Sequence, residues 1–317
     1  MENKKIALIG AGLSNLGFLF SIKPSDPVNV TLFERSKVIG GRAATRTRGD
    51  YTYDNGANYF NATDERLLNI IKKNENLIEI NKWIYPFDKN NNINFDKLLA
   101  APHNEKIKYS FKNGIKELGK YLFANKQLKN FEIKYNQDIT NIKREGDRIK
   151  LISNEEELGE FDYVVMGIPT PNIYRILKNN HEQFGDIVSE LEAYKYKKIY
   201  SLAIAYDTKP YDFYALINND REHPISWVSV ENEKRDDIKG TLLIVQMSNN
   251  FSVEHFGKDL NEVTKLIISE LHKLLPELSD KNILFSDLKM WGHVLPERAL
   301  DETLISKFES MNLFPIG

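Results

Sequence analysis

The chain has 317 residues, with 43 lysines and arginines against 45 aspartates and glutamates, a formal charge of −2 and no cysteine. That length buries a sizeable core and leaves room for two domains, the near-balanced charge gives no electrostatic footprint for nucleic acid, and the missing cysteines exclude disulfides and thiolate metal sites. Apolar runs fall short of the ~20 residues of a membrane span, and the six histidines lack metal-ligand spacing, so no metal is expected.

Only MENKK precedes the first strand, without an apolar signal region, which predicts a cytoplasmic protein. Residues 6–9 (IALI) read as a buried parallel strand. Gly10-Ala11-Gly12 then allows a tight turn close to a pyrophosphate, and the helix expected next aims its amide-rich N-terminus at phosphate charge. Residues 28–33 (VNVTLF) form the second strand. Glu34 at its end stands where an acid accepts hydrogen bonds from an adenosine ribose. The third fingerprint position departs from the pattern: Asn15 occupies the place of a small residue, and Gly17 is offset from it. Asn15 either points its amide at a phosphate, caps a backbone group, or pushes the helix away.

A nicotinamide domain needs nothing special after the ribose acid. Here Gly40-Gly41-Arg42-Ala43-Ala44-Thr45-Arg46 follows within a few residues. The glycine pair permits a second close approach to phosphates, and Arg42 offers a planar donor fork. With Asp54-Asn55-Gly56-Ala57 behind it, the set points to FAD, without a cysteinyl link.

Further along, residues 64–73 open on an N-cap candidate and carry apolar residues at helical spacing. Residues 113–123 read as an amphipathic helix and 132–135 as a strand, while 138–143 and 148–152 form a hairpin around Glu145-Gly146-Asp147. Residues 163–166 (YVVM), closed by Gly167 and Pro169, suit a parallel strand returning to the first sheet. From Tyr174 the texture changes: 199–206, 213–217, 224–230 and 241–248 are strands with hairpin-like spacing, predicting an antiparallel sheet. Residues 260–275 form a helix with Val263, Leu266, Ile267 and Leu271 on one side. Residues 286–290 and 313–316 are expected to return the chain to the first domain.

The run GGRAATRTRGDYTYDNGANYF resembles the glycine-pair segment of renalase-like FAD-dependent oxidoreductases, relatives of the flavin amine oxidases. YSFKNG (109–114), FDYVVMGIP (161–169), ISW (225–227), SVEH (252–255) and WGHVLP (291–296) agree in order, so the resemblance covers essentially the whole chain. It implies an α/β fold. An FAD-binding, Rossmann-like domain of the glutathione-reductase type spans 1–85, 105–172 and 285–317, left near Pro169 and Pro171. A second, α+β substrate domain spans 86–104 and 173–284 and lays an antiparallel sheet over the flavin ring.

The cofactor-binding set is then Gly10, Ala11, Gly12, Leu13, Ser14, Glu34, Arg35, Gly41, Arg42, Asn58, Tyr59, Phe60 and Ile139. Flavin chemistry needs orientation and solvent exclusion more than a catalytic triad. The resemblance places Asn58, Tyr59 and Phe60 beside the ring, with Asn58 where relatives carry glutamine; Tyr59 and Phe60 serve equally as core aromatics. It makes Trp291 the cavity wall, with His293 near it; a packed core tryptophan beside a solvated histidine is the alternative. Trp291, Asn58, Tyr59 and His293 are thus the catalytic candidates, and Trp227 and His255 are further ones.

The activity implied is hydride transfer from a small reduced substrate, of dihydronicotinamide type or an amine, to FAD, followed by reoxidation by oxygen. An amine oxidase or desaturase-like flavoenzyme acting on an apolar substrate, and a non-catalytic dinucleotide-binding relative, are the alternatives. The family continues past Gly317 with an acid and a helix facing the flavin, so either a tail follows the sequence given or the chain is a degenerate relative.

Overall fold

The computed structural model describes residues 3–317. The chain divides into two compact units, one of Met1–Arg42, Leu118–Lys197 and Leu295–Gly317, the other of Ala43–Glu117 and Lys198–Val294.

Among the described residues, the first unit is built on a five-stranded sheet in the order Leu313–Pro315, Tyr163–Met166, Lys4–Ile9, Val28–Glu34, Phe131–Tyr135. Every pairing in it is parallel. The central strands are apolar on both faces because both are covered. One face carries Ala7, Ile9, Phe33, Val164 and Met166 into a core shared with Ile173, Ile176, Phe184, Ile187, Leu304 and Phe308. Pro169 and Pro171 open the Thr170–Leu177 helix, where a missing N–H costs nothing. The expected hairpin forms from Asn141–Glu145 and Arg148–Ser153, turning at Gly146 with φ +61°. A third strand of that sheet, Glu156–Phe161, carries no apolar alternation and was not legible.

The second unit holds a six-stranded sheet ordered Ile283–Trp291, Ile199–Tyr206, Thr241–Met247, Ile225–Val230, Ala215–Asn218, Ile84–Phe87. Residues 286–290 therefore do not return to the parallel sheet as expected. They lie in a nine-residue strand paired antiparallel with Ile199–Tyr206, Ile199 opposite Trp291. The last pairing of the sheet is parallel, and its edge strand was not foreseen. Asn104 covers that edge, accepting from Ile84 N–H at 3.0 Å and donating to Ile84 C=O at 2.9 Å, which removes a template for unwanted pairing. Asp64 caps the Glu65–Ile71 helix as its sequence suggests.

The Leu260–Leu274 helix closes one sheet face through Val263, Ile267, Leu271 and Leu274; Leu266 falls outside this stripe and is 41 % exposed. The expected 113–123 helix starts only at Lys116. Gly114, at φ +98°, turns the chain where Thr45 stands 2.2 Å from the site of a Cβ. Among the described residues, no helix is long and apolar enough to cross a membrane.

Candidate functional site

In the parallel-sheet unit the site begins where the first strand ends. Gly10 takes φ +88°, and a Cβ there would meet Ile168 at 2.5 Å, so both backbone sign and space demand glycine. The Leu13–Ser21 helix follows with Gly12 as N-cap and no side chain capping it. Its first-turn amides are donors that a phosphate group satisfies. Gly40 hydrogen-bonds through its N–H to Ala11 C=O at 2.8 Å and pairs with Gly12. Gly41, at φ +59°, puts its missing Cβ 3.1 Å from Gly12 Cα. The two glycine turns thus lie against one another, as close as backbone allows.

Glu34 is buried at the end of the second strand. Its Oε2 accepts from Ala11 N–H at 2.7 Å and its Oε1 from Ser36 N–H at 2.8 Å, which ties that strand to the glycine turn. Arg35 is exposed, Arg42 half-buried, and Ile139 lies in the core. Asn15 resolves the departure in the fingerprint. It is fully buried and donates through Nδ2 to the carbonyls of Ile9 and Gly10, both at 2.8 Å. The amide caps backbone and does not reach for a phosphate. Room for it comes from Gly167, whose Cβ would stand 2.6 Å from Asn15 Cγ. The small residue is on the neighbouring strand end rather than in the helix. The glycine turn and the uncapped helix N-terminus beside it are the parts a dinucleotide's pyrophosphate needs.

The second unit holds the remaining candidates, of which Asn58 and Trp291 bond directly to the Asp54–Asn58 turn. Its carbonyls are held by side chains. Asn58 Nδ2 donates to Asp54 C=O at 2.8 Å, Trp291 Nε1 to Asn55 C=O at 2.9 Å, Gln246 Nε2 to Gly56 C=O at 2.8 Å and Tyr214 OH to Asn58 C=O at 3.3 Å. Asn58 therefore spends its amide on its own turn. Phe60 pairs with Tyr109 through the backbone and packs on Tyr109 and Phe111. Tyr59 joins Tyr214 and Trp227, with ring centroids 6.0 to 6.1 Å apart, and burial raises the Tyr59 phenol above its ordinary range.

Register aligns a row across one sheet face: Lys289, Ser201, Gln246, Trp227, Ile217. Trp291 lies two residues beyond Lys289, on the same face. His293 follows it, half-buried. His255 is elsewhere. It meets Phe251 edge to face, and Phe251 belongs to the core on the opposite face.

Sequence reasoning missed the charges beneath this turn. Asp54, Glu231, Lys234 and Arg235 are buried together: Lys234 Nζ lies 3.1 Å from Asp54 Oδ2 and 2.6 Å from Glu231 Oε1, and Arg235 bonds both acids. Glu231 also accepts from Asp54 N–H at 3.1 Å, while Asp54 Oδ1 accepts from Thr45 Oγ1 at 2.6 Å and Ile115 N–H at 3.0 Å. Burial alone would raise the Asp54 carboxyl. Lys234, Arg235 and the Thr45 hydroxyl outweigh it and hold the group below the usual carboxylate range. The only local signal is the spacing of Glu231, Lys234 and Arg235 on one side of a turn, which in sequence looks like a solvated charge run.

Residues 8–73 match the NAD(P)-binding Rossmann-like domain, and residues 78–292 match the family of flavin containing amine oxidoreductases. Renalase from Mus musculus is 22% identical, over 86% of this chain and 80% of its own. Among solved structures, reduced UDP-galactopyranose mutase has a TM-score of 0.77 at 12% identity, covering 99% of this chain and 88% of the other. A CLA-producing fatty acid isomerase from P. acnes has a TM-score of 0.74 at 12% identity, covering 99% and 93%. These two share the fold. The chain belongs to the flavin containing amine oxidoreductase family as a renalase-like member, and is an FAD-dependent oxidoreductase.

Proposed function

We propose that this flavin amine oxidoreductase takes a hydride from a small reduced substrate, of dihydronicotinamide type or an amine, and passes the electrons to oxygen. The observation that carries the reading is the ring-lined sheet face of Tyr59, Tyr214 and Trp227, continuous in register with the strand that ends in Trp291. When bound, FAD supplies the hydride acceptor. In this reading the amides beside Gly12, Leu13 and Ser14 carry the pyrophosphate, Glu34 the ribose, and Gly41 and Arg42 the second approach to the phosphates. Arg35 and Ile139 complete the adenosine side. All of these residues lie in the parallel-sheet unit, which is the FAD-binding domain in this reading.

The chain's own work on the substrate is orientation and exclusion of water. Trp291, with its indole N–H fixed on Asn55 C=O, presents a ring of set tilt. Tyr59 and Trp227 offer flat apolar surface to a planar or alkyl substrate. Asn58 acts through the turn it caps, Lys289 holds its ammonium 5.8 Å from the Trp291 ring, and His293, two residues after Trp291, is the further catalytic candidate. Phe60 is a packing residue of the same segment.

Purified protein should show the two-band absorbance of oxidised flavin. Anaerobic mixing with amines and with reduced nicotinamide isomers should bleach it for one class, and admitting oxygen should restore it. A protein that stays colourless after incubation with FAD sinks the whole reading. Bleaching by neither class sinks the substrate assignment, and a bleached flavin indifferent to oxygen sinks the acceptor.

A further inference from the structure

We infer that Glu231, Lys234 and Arg235 are positioning residues for Trp291, acting through the Asp54–Asn55 peptide. Four charges lie together here with at most 4 % of any side chain exposed. A buried ion cluster is a poor stability device, since apolar residues of equal volume commonly do as well or better. What such a cluster does provide is fixed geometry, because each charge must face a particular partner.

The atoms it fixes are informative. Glu231 holds the main-chain N–H of Asp54, and Lys234 and Arg235 hold its carboxylate. Thr45 and the Ile115 N–H take the other carboxylate oxygen. Asp54 is therefore held at both backbone and side chain, from two segments distant in sequence and from Thr45 on the adjoining strand. The next carbonyl along the chain, that of Asn55, accepts the indole N–H of Trp291. Between them lies the rigid Asp54–Asn55 peptide plane, whose carbonyl is taken by Asn58 Nδ2 at 2.8 Å, so the path from the fixed Asp54 to that acceptor is held at each plane. Glu231 also begins immediately after the Ile225–Val230 strand that carries Trp227. One cluster thus sets the tilt of Trp291 from the sheet's own frame.

The rate arm of the test rests on the proposed role of Trp291 as cavity wall; the spectroscopic arm does not. The protein has three tryptophans, and its indole N–H resonances can be assigned in the holoprotein by replacing Trp83, Trp227 and Trp291 in turn with Phe. The variant of choice is Glu231→Gln with Lys234→Met, which removes one charge of each sign. Arg235→Lys, which keeps the charge but loses the fork, serves where the double variant fails to fold.

The expected result is exchange of the Trp291 indole proton at least about ten-fold faster, with Trp83 and Trp227 unmoved. The limiting rate of flavin reduction should fall about ten-fold with little change in KM, the mark of lost orientation rather than lost binding. A lower melting temperature with Trp291 exchange unchanged makes the cluster merely structural and overturns the inference. Faster exchange with an unaltered reduction rate upholds the positioning and removes Trp291 from the reaction.

Discussion

The glycine turn of the parallel-sheet unit and the Asp54–Asn58 turn of the antiparallel-sheet unit are both sharp connections at strand ends, held by different balances of backbone approach and side-chain bonding. The first rests on close backbone approach: Gly10, Gly12, Gly40 and Gly41 bring main chain against main chain, Glu34 and Asn15 tie the turn from one side, and the helix N-terminus keeps no side-chain cap. The second is secured by side chains, with Asn58, Trp291, Gln246 and Tyr214 on its carbonyls and a buried ionic cluster beneath. A site made by steric permission leaves its donors open for a ligand. A site made by side-chain bonds has used its polar groups to hold a shape, and what it offers is placement.

The comparison breaks most readily at the ionic cluster. Lys234→Met leaves the Asp54 and Glu231 carboxylates with Arg235 alone, and should lower unfolding free energy by about 3–5 kcal/mol in denaturant titration. Adding Glu231→Gln should recover most of that loss. Equal destabilisation by the single and double changes would mean that volume, not charge balance, matters there.

At the glycine turn, Gly10→Ala meets both a positive φ and the Ile168 side chain. It should weaken FAD binding by about 100-fold, about 2.7 kcal/mol, seen as protein purified with little flavin absorbance. Retained colour would show that the turn is looser than its geometry implies. Gly167→Ala probes the exchange of small residues between helix and strand end. Alone it crowds Asn15; combined with Asn15→Ala the pair should show coupling of about 1–2 kcal/mol in a double-mutant cycle.

Acid should separate the two turns further. The Asp54 carboxyl titrates lower folded than unfolded, so its contribution is whole above the unfolded value of about 3.9. It is lost as pH falls below that, toward the folded value. Melting temperature followed from pH 6 downward at about half-unit steps should drop more steeply than in Asp54→Asn. The smallest effect is a gain: Gly17, inside the Leu13–Ser21 helix, has nothing within 4 Å of a new Cβ, so Gly17→Ala should stabilise by about 0.5–1 kcal/mol without touching the cofactor.

These contrasts explain which parts were legible. Residues 6–9, 28–33 and 163–166 announce parallel strands by being apolar throughout, and their neighbours in the sheet follow from the glycine pattern between them. Residues 286–290 misled because a half-buried strand carries no mark of which sheet it joins; the partner Ile199–Tyr206 decides that from more than 80 residues away. Asn15 looked like a defect because its compensation, Gly167, lies on another strand. Glu231, Lys234 and Arg235 looked solvated because burial is not a local property.

By itself the sequence determined the two glycine turns, the acid at the strand end and the alternation of helix and strand around them. Each is a demand that one residue's own backbone or volume makes on its immediate neighbours. Only the tertiary structure decided how the Asp54–Asn58 turn is held, which face of the antiparallel sheet Trp291 shares with Trp227, and which charges lie in the interior. Those outcomes depend on register between distant strands, where a shift of one residue sends every side chain to the other face.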